Sequence, residues 1–204
     1  MLAALAAEPD PPTTIRDPSR AADEHVADSL SGLEVPELRA ASRVADLGSG
    51  AGFPGLPLAV ALPGARVDLV EATGRKCEVI ARLAAAAAIG NARPLAFRVE
   101  ELGRAAYDVV TARALAPLTV LAEYAAPLLG GRGVLVAWKG DLDAAEQDAG
   151  VRAGARVGMA VESVLGVEPF PGARSRRLVV LRKVGPTPLE LPRRPGMARK
   201  RPLG

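Results

Sequence analysis

One cysteine and one histidine occur in 204 residues, and each scarcity removes a class of chemistry. The lone Cys77 excludes an internal disulfide framework and a cysteine-built zinc site, so a reducing compartment, the cytoplasm, is expected. No metal site is expected either. His25 falls in an N-terminal helical segment, where a packing or capping role is favoured over that of a catalytic base. Long unbroken apolar runs are also missing. The longest uncharged stretch, residues 47–65, contains Pro54, Pro57, Pro63 and five glycines, which would break a spanning helix, so no membrane contact is expected. The apolar opening, residues 1–7, has no basic residues before it and runs into Glu8 and Asp10, which is not the pattern of a secretory signal.

What is present suffices for one sizeable core: 49% of the residues are hydrophobic, and the length is short for two domains. We expect a short irregular lead (1–16), one domain (17–184) and a basic tail (185–204). The net charge of +3 conceals an asymmetry, because Arg193, Arg194, Arg199, Lys200 and Arg201 crowd the C-terminus without an acidic residue among them. With those five set aside, the 26 basic residues fall to 21 against 23 acidic ones. A near-neutral body with a cationic arm is the pattern of a polyanion contact, or of a solubilising end.

Along the chain, Asp17-Pro18 offers an N-cap and a first-turn proline for a helix reaching about residue 29. Apolar runs of strand length follow at 43–47, 66–71, 95–99, 107–111 and 134–138. Helical stretches at 55–62, 75–89, 118–129 and 142–153 alternate with them. Such alternation forces parallel strands with crossover helices on both faces. Runs at 157–164 and 177–184 have no clear helix between them and read as an antiparallel edge hairpin. The expected architecture is a mostly parallel, seven-stranded α/β sheet.

The chemistry begins at Asp46-Leu47-Gly48-Ser49-Gly50-Ala51-Gly52, where a buried strand enters a glycine loop and then a helix. Glycines permit positive φ and let a ligand approach the backbone. Glu71, about twenty positions on at the end of the next strand, is placed to hold ribose hydroxyls. Gly50-Ala51-Gly52-Phe53-Pro54-Gly55 formally satisfies the dinucleotide pattern, so NAD and an oxidoreductase must be weighed. The apolar strand, however, stops at Asp46 or Leu47, ahead of Gly48. The loop then reads D-x-G-x-G-x-G and resembles that of Rossmann-like S-adenosylmethionine methyltransferases, which implies that it lies against the methionine part of the cofactor.

Absent motifs narrow the acceptor. Enzymes methylating exocyclic amines carry an Asn/Asp-Pro-Pro-aromatic motif after the fourth strand, whereas this strand runs into Thr111-Ala112-Arg113-Ala114. Asp10-Pro11-Pro12-Thr13 matches it only in letters and reads as a flexible lead-in. Methylation at pyrimidine carbon 5 needs a cysteine nucleophile, and Cys77 reads instead as a small buried hydrophobe. An atom that is already nucleophilic, such as guanine N7, remains a chemical possibility. Small-molecule or protein acceptors and a non-catalytic scaffold also stay open.

Taken together, Thr14-Ile15-Arg16-Asp17-Pro18, His25, Asp28-Ser29-Leu30, the glycine loop extended through Phe53-Pro54-Gly55, Val99-Glu100-Glu101, Arg113-Ala114, Lys139-Gly140 and Pro192-Arg193-Arg194-Pro195-Gly196 resemble the bacterial small-subunit rRNA methyltransferase G family. The resemblance spans nearly the whole chain. It implies methylation of guanine N7 in 16S rRNA, free or in the small ribosomal subunit. It also implies a cofactor site containing Gly48, Gly50, Gly52, Phe53, Glu71, Val99, Glu100 and Arg113. Separately, a monomer is expected. Lys139, Arg193, Arg194, Lys200 and Arg201 are the expected RNA contacts; Trp138 is expected in the core. Five phosphate contacts would give a log-log salt slope of roughly −3.5 to −4.5, and removing residues 192–204 is expected to weaken RNA binding while sparing cofactor affinity. In one departure from the family, Pro11 and Pro12 stand where an Asn-Leu pair is usual.

Overall fold

The structure, a computed structural model, describes residues 1–15 and 17–204. Arg16 lies outside the described residues. Seven strands form one sheet: β1 (Arg43–Leu47), β2 (Arg66–Val70), β3 (Ala92–Leu95), β4 (Tyr107–Arg113), β5 (Leu129–Lys139), β6 (Met159–Gly166) and β7 (Arg177–Lys183). Their spatial order is β3-β2-β1-β4-β5-β7-β6, parallel from β3 to β5, with β7 antiparallel to both β5 and β6. In β1 and β2 every residue after the first is buried, as required of strands covered on both faces. Successive residues serve opposite cores: Ala45, Val110 and Leu135 join one cluster, Val44, Val109 and Val134 the other.

Nine α-helices are present among the described residues: α1 (Leu2–Ala7), α2 (Pro18–Ala21), α3 (Asp28–Leu30), α4 (Pro36–Arg39), α5 (Gly55–Ala61), α6 (Gly74–Ala86), α7 (Leu118–Ala125), α8 (Ala144–Arg156) and α9 (Met197–Lys200). None is long and apolar enough to cross a membrane. Asp17 caps α2 by accepting from the Arg20 amide at 2.8 Å, and a π-helical turn, Ala22–Ala27, joins α2 to α3. The helical run therefore reaches Leu30, close to expectation. The lead is not wholly irregular, since α1 buries Leu5, and Glu8 pairs with Arg82 of α6 at 2.8 Å.

Two expectations are corrected. The third strand is Ala92–Leu95, not 95–99; Val99–Glu101 forms a 3₁₀ turn. Register here is set by anchors outside the apolar run. The Asn91 amide donates to the carbonyls of Ala59, Leu62 and Ala65 at 2.9–3.0 Å, and Arg93 pairs with Asp68 of β2 at 2.9 Å. The basic tail, moreover, is not a free arm. Leu191 and Ala198 are buried, and Arg193 donates from Nε to Glu123 Oε1 at 2.6 Å. All eight residues of α7 are buried, so its one carboxylate, Glu123, needs a cation brought to it.

The chain leaves β1 toward β2 and β3 on one side, then returns to place β4 on the other. Strand order reverses between β1 and β4, and such a switch point opens a crevice at the carboxyl ends of the strands.

Candidate functional site

At the end of β1 the amides of Gly48 and Ser49 both donate to the Val70 carbonyl, at 2.8 and 3.2 Å, which pins the glycine loop to the end of β2. Gly48 has φ +64°, and a Cβ there would lie 2.5 Å from Leu115 Cδ1. Beneath the loop, the fully buried Asp46 carboxylate accepts from the Gly55 amide at 3.1 Å and the Thr111 hydroxyl at 2.9 Å, tying α5 and β4 to β1.

Burial raises Asp46 from 3.8 to about 6, although Ser49, Thr111, Gly55 and Arg113 all favour its charged form. A raised folded-state value stabilises the fold fully below about pH 3.8, and that contribution disappears as pH rises through about 6. The shift corresponds to about 3 kcal/mol. Asp46→Asn does not titrate, so its melting temperature relative to the parent is expected to climb between about pH 4 and 7. A flat difference in thermal melts across that range would refute the assignment.

Glu71 follows β2 and is buried; its Oε2 accepts from the Gly50 amide at 3.1 Å and its Oε1 from the Thr73 amide at 2.9 Å. The carboxylate is thereby fixed at the lip of a cavity of about 690 Å³. Of the residues expected to hold a cofactor, Gly48, Gly50, Phe53, Glu71, Val99, Glu100 and Arg113 line this cavity. Gly52 does not; it lies beneath, against Leu56.

The walls include residues that sequence patterns passed over. His25 stacks on Phe53 with ring centroids 4.4 Å apart and planes 8° from parallel, and its Nε2 bonds the Thr13 hydroxyl at 2.8 Å. Burial, reinforced by the nearby Arg113, holds this imidazole below its usual range. Thr13 and Pro12, read as part of a flexible lead-in, line the cavity. Arg113 donates to the Glu24 carbonyl at 2.9 Å and Asp28 Oδ2 at 2.7 Å, and lies 5.8 Å from the Phe53 ring centroid. Opposite, Glu100 Oε1 accepts from the Gly196 amide at 2.8 Å and the Tyr124 hydroxyl at 3.2 Å. The tail is therefore a wall of the cavity, completed by Arg199, whose guanidinium donates to the Leu115 carbonyl at 2.9 Å.

Lys139 lies outside this cavity and pairs with Glu146 at 2.6 Å. Arg193 is committed to Glu123, whereas Arg194, Lys200 and Arg201 are exposed. Trp138 is buried, with Nε1 donating to the Asp28 carbonyl at 2.8 Å. Cys77 is also buried.

These residues fit S-adenosylmethionine. The volume lies within the roughly 300–1,000 Å³ usual for small-ligand sites. A Cβ at Gly50 would meet nothing nearer than 3.9 Å, so the loop's upper face is open to a ligand. The loop, the fixed acid and the sheet topology together define an S-adenosylmethionine-dependent methyltransferase. Among solved structures, the mitomycin 7-O-methyltransferase MmcR is similar with a TM-score of 0.64 and 16% identity, over 78% of this chain and 54% of that one. An S-adenosylmethionine-dependent O-methyltransferase from Thermotoga maritima gives 0.62 and 13%, over 79% and 66%. These likenesses concern the fold.

A family model described as rRNA small subunit methyltransferase G matches residues 12–171. The protein named ribosomal RNA small subunit methyltransferase G in Rubrobacter xylanophilus is 43% identical over 92% of this chain and 75% of its own length. Its namesake in Deinococcus radiodurans is 42% identical over 88% and 73%. The chain belongs to the rRNA small subunit methyltransferase G family.

Proposed function

We propose that this chain methylates N7 of a guanine in 16S rRNA, acting as a monomer in the cytoplasm, with residues 17–184 as the body of its catalytic domain and the flanking Pro12, Thr13, Gly196 and Arg199 walling its cavity. The observation that carries the reading is the family match, joined to a cavity whose wall at β4 contains no strong base. When bound, S-adenosylmethionine supplies a sulfonium methyl group to a lone pair, the C–S bond breaking with its electrons left on sulfur and the positive charge passing to the purine. Because guanine N7 carries a lone pair and no proton, no side chain has to remove one. The chain's work is alignment and electrostatics. Gly48 and Gly50 admit the methionine part, the Glu71 carboxylate accepts from ribose hydroxyls, Val99 and Glu100 flank the adenine, and Phe53 and Arg113 close the site. Gly52 supports the loop from below.

RNA is held by exposed tail cations, Arg194, Lys200 and Arg201, with Lys139 contributing beside β5. Three tail contacts imply a log-log salt slope of about −2 to −3 from the tail, shallower than five would give. Replacing all three by alanine is expected to flatten the slope of binding to an rRNA fragment by that amount. An unchanged slope would remove the tail from the RNA interface.

The reading itself is tested by transfer of labelled methyl to small subunits lacking the modification, followed by chemical cleavage at 7-methylguanine. Incorporation at one guanine supports it. Cofactor binding without transfer to free or assembled RNA would turn the search to small-molecule and protein acceptors.

A further inference from the structure

A second cavity, of about 330 Å³, opens beside the first, and His25, Arg113 and Ala114 line both. Along the carboxyl edge of the sheet the cofactor residues follow strand order: Val99 and Glu100 after β3, Glu71 after β2, the glycine loop after β1, Arg113 at the end of β4. The second cavity comes next in that order, where β4 and β5 end at Arg113 and Lys139.

Its polar groups are incompletely satisfied. Asp28 is 5% exposed; Oδ2 is taken by Arg113, but Oδ1 has no hydrogen-bond partner among the described residues. Arg176 Nε lies 3.6 Å from Oδ1 and lacks a hydrogen-bond partner itself, as does Nδ1 of the buried His25. Buried polar atoms left without partners are unfavourable, and three around one cavity call for groups supplied from outside. A carboxylate oxygen needs donors. Asp28 Oδ1 is buried beside Arg176, and Arg176, 37% exposed at the side chain, can turn outward to an anion and so open a way to Oδ1.

We infer that this cavity receives the acceptor guanine, with Asp28 Oδ1 accepting from its N1–H and 2-amino group and Arg176 reaching the nucleotide's phosphate. Guanine alone among the four bases places those two donors side by side; adenine offers a lone pair at N1, which a carboxylate repels. N7 lies on the opposite edge of the purine, so a base anchored this way keeps its N7 lone pair free. Arg113, bonded to Asp28 and lying over Phe53, connects the two cavities through their common wall. This inference rests on the methyltransferase reading above and adds the residue that selects the base.

The test is ligand-observed NMR on the full chain saturated with S-adenosylhomocysteine, titrated with GMP, IMP, AMP and guanosine. GMP is expected to bind in preference to IMP, which lacks the 2-amino group, and AMP least. Asp28→Asn should reduce GMP affinity by about ten- to hundredfold and erase the preference over IMP, an effect that mere loss of packing would not produce. Arg176→Ala, at a partly exposed position, should erase the preference for GMP over guanosine without changing base selectivity. No GMP signal at millimolar nucleotide, or base preferences unchanged in Asp28→Asn, would overturn the inference. If Asp28→Asn fails to fold, an unaltered GMP-to-guanosine ratio in Arg176→Ala does so instead. Methyl transfer to rRNA is scored separately: transfer without guanine selectivity sinks the pocket alone, whereas guanine selectivity without transfer sinks the rRNA reading alone.

Discussion

Arg193→Ala is expected to lower the free energy of unfolding by about 3–5 kcal/mol and to weaken cofactor binding with it. Glu123 is 2% exposed on a helix buried along its whole length, and Arg193 meets both of its carboxylate oxygens. Removing the cation leaves a buried charge unpaired, which is far worse than removing both partners. The double replacement Glu123→Gln with Arg193→Ala should therefore recover part of the loss. Cofactor affinity follows because Arg193 holds the segment that brings Gly196 to Glu100 and Arg199 to Leu115. Removal of residues 192–204 is accordingly expected to reduce cofactor affinity, contrary to the reading of the tail as an independent arm. Urea denaturation and calorimetric titration with S-adenosylhomocysteine measure the two effects. Unchanged values in Arg193→Ala would show that the tail is secured elsewhere.

Gly52→Val is expected to cut methyl transfer by about a hundredfold or more, through displacement of the loop. Gly52 has φ +94°, and a Cβ there would stand 2.5 Å from Leu56 Cδ1 and 2.8 Å from Leu56 Cγ. Leu56 is 0% exposed and has no room to yield. A branched side chain meets both a backbone region that disfavours it and an overpacked core, together about 2–5 kcal/mol. Gly50→Ala separates the two causes. Its φ is +58° and its Cβ would be unobstructed, so only the backbone penalty of about 1–2 kcal/mol applies to folding. Equal melting temperatures for the two variants would contradict the steric argument.

The parts of this fold that were legible in sequence are those whose cause is local. β1, the glycine loop, α5, β2 and Glu71 follow one another between residues 43 and 71, and each announces itself by an apolar run, a glycine cluster or a strand-end acid. Where long-range partners decide, the pattern misled. The stretch 95–99 is apolar enough for a strand, yet Asn91 and the Arg93–Asp68 pair set the register earlier, and Phe97 is left 48% exposed. The tail's cations looked free because Glu123, seventy positions from Arg193, carries no mark of its burial. His25 has no periodic signal pointing to Phe53; the stack exists because the π-helical turn that contains His25 lies against the loop. Asp28 likewise belongs to a motif that carried the family resemblance, while its bond to Arg113, which lines both cavities, spans 85 positions.

The cofactor cavity draws Thr13 from one end of the chain and Arg199 from the other. During synthesis, a ribosome-bound chain acquires its glycine loop early but lacks the far wall until residues 196–199 emerge. Chains cut between β7 and residue 196 would retain the loop and the sheet strands, yet have no finished chamber. Competence to hold the methyl donor is thus deferred until the segment that contains Gly196 and Arg199 has been made.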